Sequence, residues 1–271
     1  MTLMIILTVS LIFIGRYSCK HFDMLSDELI QYVNDHPASC WKASRQNRFK
    51  TATDVRNTLG YPPIQTSKYH NLPSVSYDNM DILLPDYFDS REHWDNCSSI
   101  KTIHDQSRCV SGWAVASASA ISDRICIQTN GKSKPELSAL DLISCCTRCR
   151  VGCQFGYPKF AWDYWVRSGI VTGDSKGAFS GCLPYPFPKC DHGSNHSHPL
   201  CGNITYEPPT CNNTCSPGYP VSYAADKHFG KFIYTVRKNE SDIRKEIMLN
   251  GPVQASFLRL YRFPQLQIWR L

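Results

Sequence analysis

Apolar and polar positions first fall into a helical rhythm after residue 23. Leu25, Leu29, Ile30 and Val33 share one face at helical spacing, and residues from about 23 to 60 are expected to be helical and polar. Asp27 and Glu28 follow Ser26 and suit the positive end of such a helix. Residues 61–85 open with YPPIQTSKYHNLPS and lose all periodicity, which predicts a linker. The strongest helix signal covers residues 111–127. Ala114, Ala116, Ala118 and Ala120 give it small side chains, while Trp113, Ile121 and Ile125 give it contacts. A second helix is expected over residues 138–146 with Ser138 as its cap, and a third over 158–168, packed through Phe160, Trp162 and Trp165 and stopped by Gly169. Residues 174–220 read as loop, rich in Gly, Pro, His, Asn and Cys, and residues 221–236 as short strands. A last helix is expected over 242–249, closed by Asn250, Gly251 and Pro252. Helices first and strands later predict an α+β protein.

Composition adds a compartment to this picture. Residues 3–15 read LMIILTVSLIFIG, an apolar run too short to cross a bilayer as a helix. It suits the centre of a signal peptide over residues 1–18, with no membrane span following. The chain holds 14 cysteines: Cys19 at the signal boundary, Cys40 alone, and twelve between Cys97 and Cys215. An even number behind a signal peptide points to disulfides in an oxidising compartment, secreted or lysosomal. Sequons at Asn96, Asn195, Asn203, Asn212 and Asn239 fit the same location. Hydrophobic residues make up 42% of the chain, enough for a packed core and too much for global disorder. The net charge of +6 is not gathered into any lysine or arginine run, so nucleic acid is not an expected partner.

Candidate chemistry lies in Asp105-Gln-Ser-Arg-Cys-Val-Ser-Gly-Trp-Ala114. This segment resembles the signature around the nucleophile of papain-family cysteine peptidases, where a glutamine precedes a disulfide cysteine followed by Gly-Ser-Cys-Trp. A thiol at a helix N-terminus, paired with a histidine, ionises readily, and the glutamine amide helps bind the oxyanion. Asp123-Arg-Ile-Cys-Ile127, Glu136-Leu-Ser-Ala139, Cys145-Cys146, Gly169-Ile-Val-Thr-Gly173, Pro184-Tyr185, Asp226-Lys-His228 and Asn250-Gly-Pro-Val253 resemble the cathepsin B branch more closely.

The resemblance implies a propeptide over residues 19–83 and a partial peptidase domain over 84–257. It implies a papain-like two-domain fold in which the helical left domain is present and the β-barrel right domain is incomplete. It also implies six disulfides: Cys97 with Cys126, Cys109 with Cys153, Cys145 with Cys211, Cys146 with Cys149, Cys182 with Cys215, and Cys190 with Cys201. Close spacing of Cys146, Cys149 and Cys153 leaves zinc as the rival reading, disfavoured in an oxidising compartment. No cofactor or metal is expected, and a monomer is.

Departures from the family pattern weigh against catalysis. The nucleophile position is Gly112, which has no side chain to attack with. Gln106 keeps the oxyanion position. Val110 replaces a glycine in the same turn, and Phe155, beside Gly156, replaces one of two glycines in the substrate wall. The catalytic histidine and asparagine, which belong later in the family's sequence, are not found; His104 and His228 match neither and are expected to be structural or surface residues. In the segment that resembles the occluding loop, His192 remains and Gly193 replaces the second histidine. Residues 258–271 read LRLYRFPQLQIWRL, without family likeness, and are expected to be an aberrant tail. Shifting the frame forward by one nucleotide over residues 261–269 allows an Asp-Phe-x-x-Tyr-Lys-Ser-Gly type of segment. Expected overall is a cathepsin B-like homologue of peptide-bond-hydrolysing enzymes, inactive here. The alternatives are a decoy that binds peptides or cysteine-peptidase inhibitors, and an aberrant version of a working sibling.

Overall fold

A computed structural model of the chain describes residues 26–37, 39, 42–44, 51, 72–149, 152–173, 181–190, 198–201 and 206–256. The first helix, α1 (Asp27–Asp35), starts where the Ser26 hydroxyl accepts the Leu29 amide at 3.2 Å, and it buries Leu29 and Val33. After α2 (Ser90–His93), capped by Asp89, and a 3-10 turn at Ser98–Lys101, the chain reaches its central helix, α3 (Gly112–Gln128).

Helix α3 is apolar on nearly every side because neighbours cover it nearly all round. Trp113, Ala114, Ala118 and Ile121 join Leu142 and Ile143 of α4 (Ala139–Cys145) and Ala161 of α5 (Pro158–Arg167) in one buried cluster. Small alanines at these crossings let the helix axes approach closely. Ser117 and Ser122 are tolerated inside α3 because their hydroxyls donate back to the Trp113 and Ala118 carbonyls, each at 2.7 Å. Ser122 also accepts the Leu137 amide at 2.9 Å. Ser138 caps α4 by accepting the Asp141 amide at 3.0 Å. Proline opens α5, and Gly169, at φ 71°, follows its C-cap.

The final helix, α6 (Glu240–Asn250), is capped by the Asn239 side chain, which accepts the Ser241 and Asp242 amides. It ends at Gly251, φ 94°, where a β-carbon would also strike Ile127 Cδ1 at 2.3 Å.

Three expectations from the pattern need correction. Of the stretch from about 23 to 60 expected to be helical, only Asp27–Asp35 is helix among the described residues; residues 36, 37, 39, 42–44 and 51 are not, because His36 precedes Pro37 and turns extended. The stretch 61–85 is not featureless: β1 (Ser74–Val75) pairs in parallel with β2 (Thr235–Val236), Ser74 opposite Thr235 and Val75 opposite Val236. Nor is 221–236 a set of strands. Apart from β2, its only ladder contact among the described residues is a bridge between His228 and Ile170. The remainder is turn, because its side chains serve a buried polar cluster. Lys227 Nζ meets Asp141 Oδ2 at 2.8 Å, Tyr223 Oη donates to Asp141 Oδ1 at 2.6 Å, and Lys227 also donates to the Gly169 carbonyl at 3.0 Å.

Six disulfides staple the loops: Cys97–Cys126, Cys109–Cys153, Cys145–Cys211, Cys146–Cys149, Cys182–Cys215 and Cys190–Cys201. Of the three sulfurs in the zinc reading, Cys146 and Cys149 are bonded to each other and Cys153 to Cys109. Among the described residues no helix is long and apolar enough to cross a membrane. The expected signal peptide, Cys19, Cys40 and the tail over 258–271 lie outside the described residues.

Candidate active site

The turn from Gln106 to Gly112 is pinned on several sides. Ser107 adopts φ 56°, with its amide held by Asp105 Oδ1 at 2.6 Å, so the aspartate stabilises a left-handed turn. The Cys109–Cys153 disulfide and a 3.0 Å hydrogen bond from the Val110 amide to the Cys153 carbonyl tie the turn to the segment carrying Phe155 and Gly156. Arg108 Nη1 donates to the Cys201 carbonyl at 3.2 Å, and Ser107 Oγ lies 3.5 Å from Cys190 Sγ. The base of the Cys190–Cys201 loop thus rests on this turn. His192 and Gly193, within that loop, lie outside the described residues.

Tyr185 completes the support. Its hydroxyl donates to the Gln106 carbonyl at 2.8 Å and stands 2.7 Å from Ser111 Oγ, which is itself buried. Burial pushes the Tyr185 phenol well above its ordinary pKa, so it keeps the proton it donates.

Helix α3 starts at Gly112, which places this position at the positive end of a seventeen-residue buried helix. A β-carbon built there would lie 3.0 Å from Gln106 Oε1. The side-chain direction at 112 therefore points at the Gln106 side chain, with its amide oxygen, an acceptor, as the nearest atom. Gly156 forms a neighbouring wall, its backbone so close over the Trp113 indole that a β-carbon would lie 2.3 Å from Cε2. Only glycine fits there. Phe155 is half-buried beside it. From the far end of the described chain, Gln254 reaches the same helix. Its Nε2 donates to the Trp113 carbonyl at 3.1 Å, and its Oε1 accepts from Trp162 Nε1 at 2.5 Å and lies 2.7 Å from Ser117 Oγ.

The two histidines lie in other settings. His104 lines a cavity of about 30 Å³ with Asp105, Ser122 and Glu136. His228 is fixed by backbone hydrogen bonds of 2.9 and 3.0 Å to Ile170, and burial lowers its imidazole pKa, favouring the neutral ring. Tyr185, Gln254 and Arg108 carry no signal in the sequence as supports of this turn. Pro184-Tyr185 stands out only as a motif, and its reach to Gln106 is purely tertiary.

Residues 84–265 match the papain family cysteine protease family. The chain belongs to the papain family of cysteine proteases. A cathepsin B-like cysteine proteinase of Schistosoma japonicum is 47% identical over 239 residues, covering 88% of this chain and 70% of that protein. Cathepsin B-like cysteine proteinase 6 of Caenorhabditis elegans is 40% identical over 238 residues, covering 85% of this chain and 62% of its own length. This chain thus spans less than two thirds of the second relative. The solved structure of procathepsin B S9 from Trypanosoma congolense superposes with a TM-score of 0.64 at 32% identity, over 84% of this chain and 70% of that one. The fold is accordingly α+β and papain-like. The family match begins at Leu84 and extends past Phe257 to residue 265.

Proposed function

We propose that this papain-family chain is a cathepsin B-like homologue that does not hydrolyse peptide bonds. One observation carries the reading: at the start of α3, where the Gln106 amide faces the incoming side chain, residue 112 is glycine. Without sulfur or oxygen at that place no acyl-enzyme forms, and Gln106 has no oxyanion to stabilise. Cys109 does not substitute, because its sulfur is bonded to Cys153.

A second reading is a binding role, as a decoy for peptides or for inhibitors of active relatives. It is favoured by the described part of the cleft, where Gly156 lies flat on Trp113 and the turn bearing Gln106 is held by Tyr185. The six disulfides and the relatives support a secreted or lysosomal location.

Incubation with an epoxide that alkylates active-site thiolates, alongside a fluorogenic peptide substrate, tests the first reading. No adduct and no turnover are expected, and turnover abolished by the epoxide would overturn it. Capture on an immobilised cystatin-type inhibitor tests the second.

A further inference from the structure

Three of the five sequon asparagines, Asn96, Asn212 and Asn239, fall among the described residues, and their side chains stand in different settings. Asn239 caps α6 through one atom only. Its Oδ1 accepts the Ser241 amide at 2.9 Å and the Asp242 amide at 3.3 Å, while its Nδ2 donates to nothing among the described residues. Asn212 repeats the arrangement. Its Oδ1 accepts the Thr214 amide at 3.2 Å, the Thr214 hydroxyl donates to the Asn212 carbonyl at 3.3 Å, and Nδ2 is again unengaged. In both, an amide two residues on holds the oxygen against the backbone and leaves the nitrogen on the solvent side. Both residues are exposed, and each stands on the rim of a groove with room for a bulky group. The groove beside Asn239 measures about 1030 Å³ and is lined by Tyr87 and Ile243; the one beside Asn212 measures about 730 Å³ and is lined by Phe187 and Pro209. Asn96 differs. No amide holds its oxygen among the described residues, and its Nδ2 packs on Gly131, where a β-carbon would stand 2.5 Å from it. Gly131 is itself fixed, its amide donating to the Cys126 carbonyl at 2.8 Å, and Cys97, next to Asn96, is 1% exposed and bonded to Cys126.

We propose that Asn239 and Asn212 carry N-linked oligosaccharides on the rims of these two grooves and that Asn96 carries none. The assignment rests on the secretory location supported above, and it selects among sequons that are equal as motifs. The donor is an oligosaccharide linked to a polyisoprenyl diphosphate. A bond forms between the asparagine Nδ2 and the anomeric carbon of the sugar, the bond from that carbon to phosphate breaks, and the lipid diphosphate leaves with the electron pair while Nδ2 gives up one proton. The substituted amide keeps its carbonyl oxygen, so the cap of α6 and the turn at Thr214 survive the modification. At Asn96 the same group would have to displace Gly131 beside the Cys97–Cys126 disulfide. Asn195 and Asn203 lie outside the described residues.

The test expresses the full chain in a eukaryotic secretory host and treats its digest with peptide N-glycosidase in heavy-oxygen water. Each occupied asparagine then becomes a labelled aspartate, read by mass spectrometry. Label at Asn212 and Asn239 and none at Asn96 is the expected result. Either of the first two found without label, or Asn96 found with it, would overturn the assignment. Two variants examine Asn239 while leaving the cap in place. Asn239→Asp retains an acceptor oxygen, and Ser241→Ala removes only the sequon hydroxyl, since the cap uses the backbone amide of residue 241. Each variant is expected to migrate one oligosaccharide lighter than the parent and to unfold at the temperature of the glycosidase-treated parent. Unchanged migration of both would overturn the Asn239 site, and a lower unfolding temperature for both would overturn the division of labour between its nitrogen and its oxygen. The location fails separately. Free thiols at Cys97 and Cys126 with no sugar anywhere would sink the secretory reading and the assignment with it, whereas an intact disulfide there with no sugar sinks the assignment alone.

Discussion

The two halves of helix α3 treat charge in opposite ways. Its N-terminal end opens on the cleft with Gly112, a position bare of any group that could attack a carbonyl. Its C-terminal half buries two ionisable side chains side by side. Arg124, 13% exposed, meets Glu246, 0% exposed, at 2.7 Å, and also donates to Tyr234, Pro252 and Gly251. Among the described residues, Asp123, 4% exposed, is in no ion pair, and its Oδ1 lacks a hydrogen-bond partner. The Arg124–Glu246 pair holds the fold together, whereas position 112 presents no side chain at all. Losing one partner of the pair is costly, whereas nothing in folding requires a side chain at 112.

The largest expected effect comes from breaking the pair. Arg124→Met should destabilise the protein by about 3–5 kcal/mol, because Glu246 would stay buried without its cation. Glu246 is a carboxylate whose pKa is held below the ordinary value. Burial pushes it up, but hydrogen bonds from Tyr77, Tyr234 and Arg124, together with the charge of Arg124, outweigh that push. A group with a depressed folded pKa contributes stability above its unfolded pKa, and that contribution is lost as pH falls through the folded one. The variant's deficit should therefore be greater at pH 7 than near pH 4, where Glu246 without arginine takes up a proton. Urea unfolding at the two pH values measures this, and an equal deficit at both would show that the arginine matters only for packing.

Asp123 should behave in the opposite sense. Burial raises its pKa to about 6, against a smaller lowering by a hydrogen bond with Ser99. Between the unfolded value near 4 and about 6 the folded state holds a proton that the unfolded state has released, so stability falls as pH rises through this window. Asp123→Asn should remove that slope and raise stability at pH 7 by about 2–3 kcal/mol. Thermal unfolding followed from pH 4 to 7 checks both. A variant no more stable than the parent at pH 7 would mean that Asp123 has a partner when folded.

How far the sequence foretells these features depends on how local each is. Helix α3 was expected over 111–127 and spans Gly112–Gln128, because its alanines and its all-round apolar content are local facts. The Ser138 cap was equally legible, since a cap concerns three residues. The strand expectation over 221–236 failed where Tyr223 and Lys227 turn inward to Asp141, 82 and 86 positions away, a demand that local alternation does not register. At the candidate site, the facing of Gln106 and Gly112 could be read from one short motif. Tyr185, 79 positions from Gln106, and Glu246, 122 from Arg124, could not, because each is recruited by the folded chain. The same holds for β1, a strand of two residues whose partner lies at the other end of the domain.

Two glycines flanking the cleft give the smallest expected effects and the finest contrast. At Gly156 a β-carbon would fall 2.3 Å from Trp113 Cε2 and 2.4 Å from Cδ2, atoms of a buried ring packed in the core cluster. That ring has no room to retreat, so Gly156→Ala should cost about 1–3 kcal/mol through overpacking. At Gly112 the nearest atom to a β-carbon is Gln106 Oε1 at 3.0 Å, the far end of a flexible side chain that can give way by a few tenths of an ångström. Alanine also suits a helix better than glycine by up to about 1 kcal/mol. Gly112→Ala should then leave stability within about 1 kcal/mol of the parent, measured by urea unfolding beside Gly156→Ala. If Gly112→Ala were the costlier of the two, the turn would have closed over the place where a nucleophile's side chain would stand. The cleft would then have no room at 112 for a nucleophile's side chain.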